Sequence, residues 1–220
     1  FSTAGAFAAL KTDGSVVTWG NTGYGNSNSP TIGGFIDIYT TSKSFSGLRP
    51  DGSITSWGNS ITGGTGAPVF TGYTAITSNQ QAFAALKPDG TIYAWGSTAF
   101  GAGPYMPLSS GFVKIYANGG AFTGVRADGS VKSWGSTTYG GNLQPTLAGF
   151  TQVFSGSFAF AALQPDGSIK SWGRTAYGGG TDSPTGTGFT SIHYLRSYGF
   201  SHIKIDKSLL TGLEPGSKAT

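Results

Sequence analysis

Residues 82–96 read AFAALKPDGTIYAWG, and the chain repeats this stretch as AFAALKTDGSVVTWG at residues 6–20 and as AFAALQPDGSIKSWG at residues 159–173. Each copy has a short apolar run, an Asp-Gly pair and a second run that ends in Trp-Gly. The Asp-Gly and Trp-Gly pairs recur at intervals of 38 or 39 residues, the latter at Trp19, Trp57, Trp95, Trp134 and Trp172. The chain is therefore built from a repeated structural unit.

Each copy predicts a β-hairpin. Asp-Gly is a strong turn signal, because Gly tolerates a positive φ and Asp bonds its own backbone. The runs on either side have period two, so that Val16 and Thr18 share one face of a strand and Val17 and Trp19 share the other. A Gly-aromatic pair begins a third strand, as in GFIDIY at residues 34–39. No segment has a helical period of useful length, and we expect an all-β fold.

The C-terminal stretch FSHIKIDKSLLTGL, from Phe200, aligns with the stretch from Phe7 and forms a degenerate sixth copy. Lys207 replaces its turn glycine and Gly212 replaces its tryptophan. Units of this kind bury both faces only by stacking, radially or linearly. We predict one repeat domain over residues 1–220, a single β-propeller of about six short blades with hairpin units near residues 6–20, 44–58, 82–96, 121–135, 159–173 and 199–213. An open array or a five-bladed ring with a tail is the alternative.

The order of residues within the unit resembles that of a known family. Aromatic-x-x-Leu-x-x-Asp-Gly-x-hydrophobic-x-x-Trp-Gly, then a Gly-rich stretch with Tyr-Gly and then Pro, resembles the propeller repeat of the regulator of chromosome condensation family. The resemblance covers the five full units and the degenerate sixth. The short unit is similar to the compact bacterial version, such as the secreted propeller that inhibits β-lactamases. The resemblance implies a β-propeller.

The same resemblance transfers little about function. Members of the family serve in guanine-nucleotide exchange, chromatin binding, enzyme inhibition and adhesion, so the fold hosts several unrelated activities. Nucleotide exchange in the family depends on an inserted wedge that no unit of this chain contains. Function has to be argued from the residues that the units expose.

The chain has few residues that could serve as catalytic groups or metal ligands. It has no cysteine and nine acidic residues, six of which stand in the repeated turn. His193 and His202 are its two histidines, and no pair of carboxylates at ligand spacing lies near them in sequence. We expect a non-enzymatic protein with no metal site and no cofactor.

The composition favours an extracellular or secreted protein, with the cell surface as one location. Charged residues make up 10% of the chain, against about 25% in an average soluble domain, and aromatic residues make up 14%. No apolar run is long enough to cross a membrane, so we expect no membrane insertion. The net charge of +4 is modest and is not gathered in a basic stripe, so we expect no nucleic-acid partner.

Recurrent basic residues offer a weak case for an anionic partner. They occupy one position of the repeat, as Lys11, Arg49, Lys87, Arg126 and Lys204. An aspartate stands two residues after each of them, across the same turn. We expect this aspartate to neutralise most of the basic ring locally.

The tryptophans are predicted to form the structural core. We expect Trp19, Trp57, Trp95, Trp134 and Trp172 to be the wedges between neighbouring blades. Burial of one indole removes ~150–250 Å² from water, an upper bound of about 4–6 kcal/mol. The alternative is that these rings are platforms for carbohydrate.

The loops that follow Trp-Gly carry the candidate ligand-binding residues. Tyr24, Phe100, Tyr139 and Tyr177 occupy one position of the repeat, with Thr62 in the second unit, among Gly, Ser, Thr and Asn residues. Aromatic rings beside small polar groups suit contacts with a sugar or a protein at low entropic cost. The alternative is that the rings fold back to cover the edges of the blades.

Two hypotheses for function follow. The first is a recognition module that binds a glycan or a protein surface through these loops. The second is a structural or assembly subunit, such as an adhesin or a filament-like protein, that self-associates through its incomplete terminal blades by strand addition.

Overall fold

A computed structural model describes residues 1–103, 106–180 and 186–188. The described residues contain fourteen strands: β1 (Ala6–Leu10), β2 (Val16–Gly20), β3 (Asp37–Thr40), β4 (Ser44–Leu48), β5 (Ile54–Gly58), β6 (Ala75–Ser78), β7 (Ala82–Leu86), β8 (Ile92–Gly96), β9 (Phe112–Ala117), β10 (Ala121–Arg126), β11 (Val131–Gly135), β12 (Gln152–Ser155), β13 (Ala159–Leu163) and β14 (Ile169–Gly173). The sixth predicted unit, residues 199–213, lies outside the described residues, as do His193 and His202.

The strands form five antiparallel sheets that follow one another in chain order. Sheet 1 is the hairpin β1–β2, and sheets 2 to 5 are the three-stranded sheets β3–β5, β6–β8, β9–β11 and β12–β14. The second strand of each three-stranded sheet lies in the middle and pairs with both neighbours. The prediction of an all-β fold is confirmed.

The Asp-Gly pair forms the turn of each hairpin. In sheet 2, Asp51 Oδ1 accepts a hydrogen bond from the backbone N–H of Ser53 at 2.9 Å. Gly52 has a φ of 76°, and a Cβ at this position would overlap the backbone nitrogen of Tyr73, so that only glycine fits. The backbone N–H of Ser53, and then its hydroxyl, lower the pKa of Asp51 by hydrogen bonding to the carboxylate.

The period-two pattern gives each hairpin two different faces. On one of them, the back face, a phenylalanine and a tryptophan lie opposite each other and stack, with ring centroids 5.2–5.6 Å apart. The stacked pairs are Phe7–Trp19, Phe45–Trp57, Phe83–Trp95, Phe122–Trp134 and Phe160–Trp172. The other side, the front face, carries small residues and branched aliphatic residues, which in sheet 3 are Ala84, Leu86, Ile92 and Ala94.

The front face of each sheet packs against the back face of the next. The front-face residues Ala84, Leu86 and Ile92 of sheet 3 form one cluster with Phe122 and Trp134 of sheet 4. Corresponding clusters join sheets 1 and 2, 2 and 3, and 4 and 5. The small front-face side chains leave the space that the large rings of the next sheet fill.

Hydrogen bonds accompany two of these interfaces. The indole N–H of Trp95 donates to the hydroxyl of Ser56 in sheet 2 at 3.0 Å, and that of Trp172 donates to Ser133 in sheet 4 at 2.9 Å. Ser56 and Ser133 occupy the same front-face position of their sheets. Burial of these two indole N–H groups is thereby compensated.

The first strands of neighbouring sheets contact one another in the order β3, β6, β9 and β12. The turns that follow them are joined by backbone hydrogen bonds of 2.8–3.3 Å, in which each N–H donates to the carbonyl of the next unit. This series runs from Ala4 to Ser42, Gln80, Gly119 and Ser157. Its regularity indicates that the sheets surround a common axis with their first strands innermost.

Trp19 departs from the predicted core position. Trp57, Trp95, Trp134 and Trp172 are at most 3% exposed, whereas Trp19 is 50% exposed. Its stacked partner Phe7 is 51% exposed. The reason is that sheet 1 has no preceding sheet among the described residues, so that its back face is open.

Candidate functional site

A 3₁₀ turn follows each of the five Trp-Gly pairs. These turns span Thr22–Tyr24, Ser60–Thr62, Thr98–Phe100, Thr137–Tyr139 and Thr175–Tyr177. They lie at the same end of the sheets as the turns between first and second strands, since the N–H of Asn59 donates to the carbonyl of Lys43. We call this end the loop face, and the opposite end, which carries the Asp-Gly turns, the turn face.

The predicted binding position is the last residue of each 3₁₀ turn. Tyr24, Thr62, Phe100, Tyr139 and Tyr177 all hold it, and a glycine in the left-handed conformation follows each of them. The fold therefore places the four rings and Thr62 on one face of the molecule. Thr62 is 5% exposed and its hydroxyl bonds the hydroxyl of Ser44 at 2.6 Å, so in the second unit this position is packed rather than available.

A side chain from the neighbouring turn anchors each of the first four positions. The amide Nδ2 of Asn118 donates to the carbonyl of Tyr139 at 2.6 Å, and its Oδ1 accepts from the backbone N–H of Gly120 and Ala121. Thr3, Thr41 and Asn79 make the corresponding bond to the carbonyls of Tyr24, Thr62 and Phe100. In the fifth unit the anchor position is Gly156, which has no side chain to bond Tyr177.

The rings rest in slots between the turns of adjacent sheets. A Cβ added to Gly5 would lie 2.8 Å from Cγ of Tyr24, and one added to Gly120 would lie 2.6 Å from Cδ2 of Tyr139. Lys43 Nζ of the next unit lies 5.0 Å from the centroid of the Tyr24 ring. The alternative prediction, that the rings cover the edges of the blades, therefore describes part of what Tyr24 and Tyr139 do.

From sheet 3 to sheet 5 the rings form a continuous series. Centroid distances are 6.1 Å from Phe100 to Tyr139, 4.9 Å from Tyr139 to Phe158 and 4.4 Å from Phe158 to Tyr177. The guanidinium of Arg174 ends the series, 5.1 Å from the centroid of Tyr177 and 5.5 Å from that of Phe158. We call these five residues the aromatic row.

Exposure differs along the aromatic row. Tyr139 and Phe158 are partly buried and stack with an interplanar angle of 20°, so each covers one face of the other. Tyr177 is 43% exposed and Arg174 is exposed. The end of the row at Tyr177 is thus the part most accessible to a ligand.

Sequence reasoning missed Phe158, Arg174 and the anchoring residues. The anchors carried a usable signal, because Thr3, Thr41, Asn79 and Asn118 recur at one position of the repeat as residues able to donate a hydrogen bond. Arg174 carried none. Gly5, Lys43, Gln81 and Gly120 stand at the position of Phe158 in the first four units, so among the described units its ring belongs to one alone, and only the degenerate sixth unit repeats an aromatic residue there, as Tyr198.

On the turn face the recurrent basic residues pack on aromatic rings. The guanidinium of Arg49 lies 4.1 Å from the centroid of Phe35, and that of Arg126 lies 4.2 Å from the centroid of Phe112. Lys87 Nζ lies 5.0 Å from the ring of Tyr73. Through these cation–π contacts the basic residues hold the segments where the innermost strands begin, in addition to the aspartate neutralisation that the sequence predicts.

No metal centre emerges from the described residues. No group of three or more His, Cys, Asp or Glu residues there could hold a metal ion. A cavity of about 250 Å³ lies between sheets 4 and 5 on the turn face, lined by Arg126, Gly129, Phe150 and Val153 among others. In the same part of the chain, no helix has the length and apolar character needed to span a membrane.

Comparison with known proteins reveals similarity in structure. No protein-family model and no curated protein sequence matches the chain. Among solved structures, the chain is similar to the entire ectodomain of the receptor kinase CR4 from Physcomitrella patens, with 22% identity and a TM-score of 0.56 over 78% of this chain and 50% of that one. The chain thus spans half the length of that ectodomain.

Two further structures extend this comparison. The CRINKLY WD40 ectodomain of the receptor kinase ACR4 from Arabidopsis thaliana is 20% identical, with a TM-score of 0.56 over 86% of this chain and 70% of that one. Yeast RCC1 (Prp20), solved with Kap60 bound, is 18% identical, with a TM-score of 0.56 over 87% of this chain and 60% of that one. The fold is a β-propeller of several blades, and the similarity to RCC1 supports the resemblance found in the sequence.

Proposed function

We propose that this propeller is a non-enzymatic, extracellular recognition module that binds through its loop face. The aromatic row carries the proposal: Phe100, Tyr139, Phe158, Tyr177 and Arg174 line one edge of the face, and its end at Tyr177 is open to solvent. Aromatic residues and arginine are enriched at protein interfaces, and the aromatic rings give a large contact area at low entropic cost. Tyr24 extends the same face on sheet 1.

Among the two proposed ligand classes, the geometry favours a protein surface over a glycan. A sugar stacks on the free face of a ring, and the stacking of Tyr139 on Phe158 covers one face of each. Arg174 lies within cation–π range of the Tyr177 ring. The accessible ring edges and the guanidinium suit the flat, mixed contacts of a protein partner.

The relatives support this proposal at the level of the fold. Two of the similar structures are receptor kinase ectodomains, and yeast RCC1 was solved with the protein Kap60 bound. Binding of proteins is thus a use that this fold accommodates. The low content of charged residues and the absence of cysteine are compatible with the extracellular location that we propose.

The test compares exposed aromatic residues on the two faces. Tyr177→Ser removes the accessible ring of the loop face, and Phe70→Ser is the matched control, because Phe70 is 70% exposed and lies beside Lys87 on the turn face. Wild-type protein of known oligomeric state, from size-exclusion chromatography with light scattering, is applied to a glycan array. In a second experiment, two variants that carry a photoreactive phenylalanine, one at position 177 and one at position 70, are incubated with cell-surface proteins and irradiated.

We expect cross-linking to a surface protein from position 177 and none from position 70. Glycan binding that Tyr177→Ser abolishes would identify a sugar as the ligand on the same face. Cross-linking from position 70 alone would overturn the proposal, since binding would then use the turn face.

The assembly hypothesis rests on a different surface. Its structural support is the open back face of sheet 1, where Phe7, Val17 and Trp19 are 51%, 45% and 50% exposed. Self-association through terminal blades remains a prediction. Disulfide cross-linking between positions 4 and 197 tests it, because self-association would give bonds between two chains.

A further inference from the structure

The back face of sheet 1 is half of an interface that the molecule builds four times. Phe7 and Trp19 stack at 5.5 Å as do the pairs of the other sheets, and Val17 lies beside them on the same face. In sheets 2 to 5 the front face of the preceding sheet covers the stacked pair, and the phenylalanine of each pair is 0% exposed. An apolar surface with so regular a shape marks a docking site.

The four complete interfaces define what the occupant must present. The front face carries small residues at two positions, as with Ser46 and Ser56 in sheet 2, and branched aliphatic residues at two others, as with Leu48 and Ile54. The small residue nearest the indole accepts its N–H where it is serine, as Ser56 does for Trp95. In sheet 1 this position holds Thr18, and the N–H of Trp57 is buried without a hydrogen-bond partner. A suitable occupant is therefore a hairpin whose front face carries a small and an aliphatic residue on one strand, and an aliphatic and a small residue on the other.

Residues 199–213 of the same chain meet this requirement on one face only. With Phe200 aligned to Phe7, the four front-face positions hold Ser201, Ile203, Leu209 and Thr211. Thr211 stands at the position of Ser56, Ser133 and, in sheet 1, Thr18. The back-face position that carries tryptophan in every described sheet holds Gly212 instead, so this unit keeps the surface needed to meet sheet 1 and has lost its own wedge.

We infer that the hairpin unit at residues 199–213 docks on the back face of sheet 1 in the same molecule, covers Trp19 and closes the propeller with six units. The connection is long enough, because 25 residues separate Gly173 from Gly199, against 23 between Gly58 and Ala82. This inference concerns the ring rather than the loop face, and it holds or fails independently of the proposed function.

The interblade hydrogen bonds give a sharp test. The N–H of Ala4 donates to the carbonyl of Ser42, and the equivalent positions follow around the ring through Gln80 and Gly119 to Ser157. In the sixth unit the same alignment assigns this position to Ser197. A ring of six units places Ser197 beside Ala4, whereas a ring of five units places Ser157 beside Ala4.

The chain has no cysteine, so engineered pairs report proximity without interference from native thiols. Three full-length double variants are oxidised and compared: Ala4→Cys with Ser197→Cys, Ala4→Cys with Ser157→Cys, and Ala4→Cys with Ser42→Cys as the positive control. Circular dichroism establishes that each is folded, and the single variants give the background of disulfide-linked dimers. Non-reducing electrophoresis and peptide mapping separate bonds within one chain from bonds between two chains.

We expect the pair at positions 4 and 197 to form an intramolecular disulfide to an extent similar to the control pair. The pair at positions 4 and 157 is expected to form none. A disulfide between positions 4 and 157 would overturn the inference in favour of five units. Dimers linked between positions 4 and 197 would assign the face to a second copy, and the absence of both products while the control pair forms would show that residues 199–213 do not cover it.

Discussion

The indole nitrogen of Trp95 lies 3.0 Å from the hydroxyl oxygen of Ser56, across the interface between sheets 2 and 3. At the next interface Ala94 occupies the position of Ser56, and the indole N–H of Trp134 is buried without a hydrogen-bond partner. Serine at this repeat position satisfies the buried donor, whereas Ala94 and, opposite Trp57, Thr18 leave it without a partner. An unsatisfied donor costs about 1–3 kcal/mol, so the two interfaces differ in a measurable way.

We expect Ser56→Ala to lower the free energy of unfolding by about 1–2 kcal/mol, because it leaves the Trp95 N–H unpaired. The reverse change needs two substitutions, since Ser56 also donates to Ser46 at 3.0 Å. Ala84→Ser combined with Ala94→Ser recreates this hydroxyl pair opposite Trp134, and it should be more stable than Ala94→Ser alone. Urea unfolding measures all three variants, and equal stability of wild type and Ser56→Ala would contradict the assignment.

Trp95→Ala should destabilise the protein by about 3–5 kcal/mol, the range for deletion of a large buried aromatic side chain. The ring is 3% exposed and stacks on Phe83 at 5.2 Å, so its removal opens a cavity between two sheets. Denaturant unfolding provides the measurement. Unchanged stability together with lost ligand binding would instead make the tryptophans the binding site.

Asn118→Ala should lower stability by about 2–4 kcal/mol, because it removes three hydrogen bonds at a residue that is 7% exposed. Asn118→Thr is the matched control, since Thr3 and Thr41 anchor the same carbonyl in the first two units. Thermal unfolding is expected to rank wild type first, Asn118→Thr second and Asn118→Ala last. A threonine variant as unstable as the alanine variant would show that the anchor is specific to asparagine.

Tyr139→Ser and Tyr177→Ser should differ in stability although both positions end a 3₁₀ turn. Tyr139 lies between Phe100 and Phe158 and covers Gly120, so we expect a loss of about 1.5–3 kcal/mol. Tyr177 is 43% exposed, and its replacement should cost less than about 1 kcal/mol. Differential scanning calorimetry compares them, and equal losses would mean that Tyr177 is also a packing residue.

Acid should weaken the hairpin turns. Hydrogen bonds from the serine or threonine two positions later lower the pKa of Asp13, Asp51, Asp89, Asp128 and Asp166. A carboxylate whose pKa is lower in the folded state stabilises the fold above its unfolded pKa, about 3.9, and loses that contribution as the pH falls through its folded pKa. The melting temperature is therefore expected to decrease below about pH 4.

Replacement of all five aspartates by asparagine is the control for this pH dependence. The amide oxygen still accepts the hydrogen bond but does not titrate. Between neutral pH and pH 2.5, which is about 1.5 units below the unfolded pKa, the melting temperature of the variant should decrease less than that of wild type. An identical decrease in both proteins would assign the acid sensitivity to other groups.

The sequence by itself determined the repeat and the chemistry of its hairpin. Asp-Gly requires a turn wherever it stands between two period-two runs, because the positive φ of Gly52 and the bond from Ser53 to Asp51 depend on neighbours within three residues. The alternation that puts Val17 and Trp19 on one face follows from the pleat of a single strand. These features are local, so the five repeated copies are enough to predict them without knowledge of contacts elsewhere in the molecule.

The tertiary structure alone decided which of the repeated residues are equivalent in their surroundings. Trp19 and Trp95 stand at the same position of the repeat, yet one is 50% exposed and the other 3%, because burial depends on the sheet that precedes each of them. In the same way Tyr177 joins the aromatic row through Phe158, whose position holds no aromatic residue in the other described units. Contacts between units join positions that are far apart in the chain, and no pattern within a single unit encodes them.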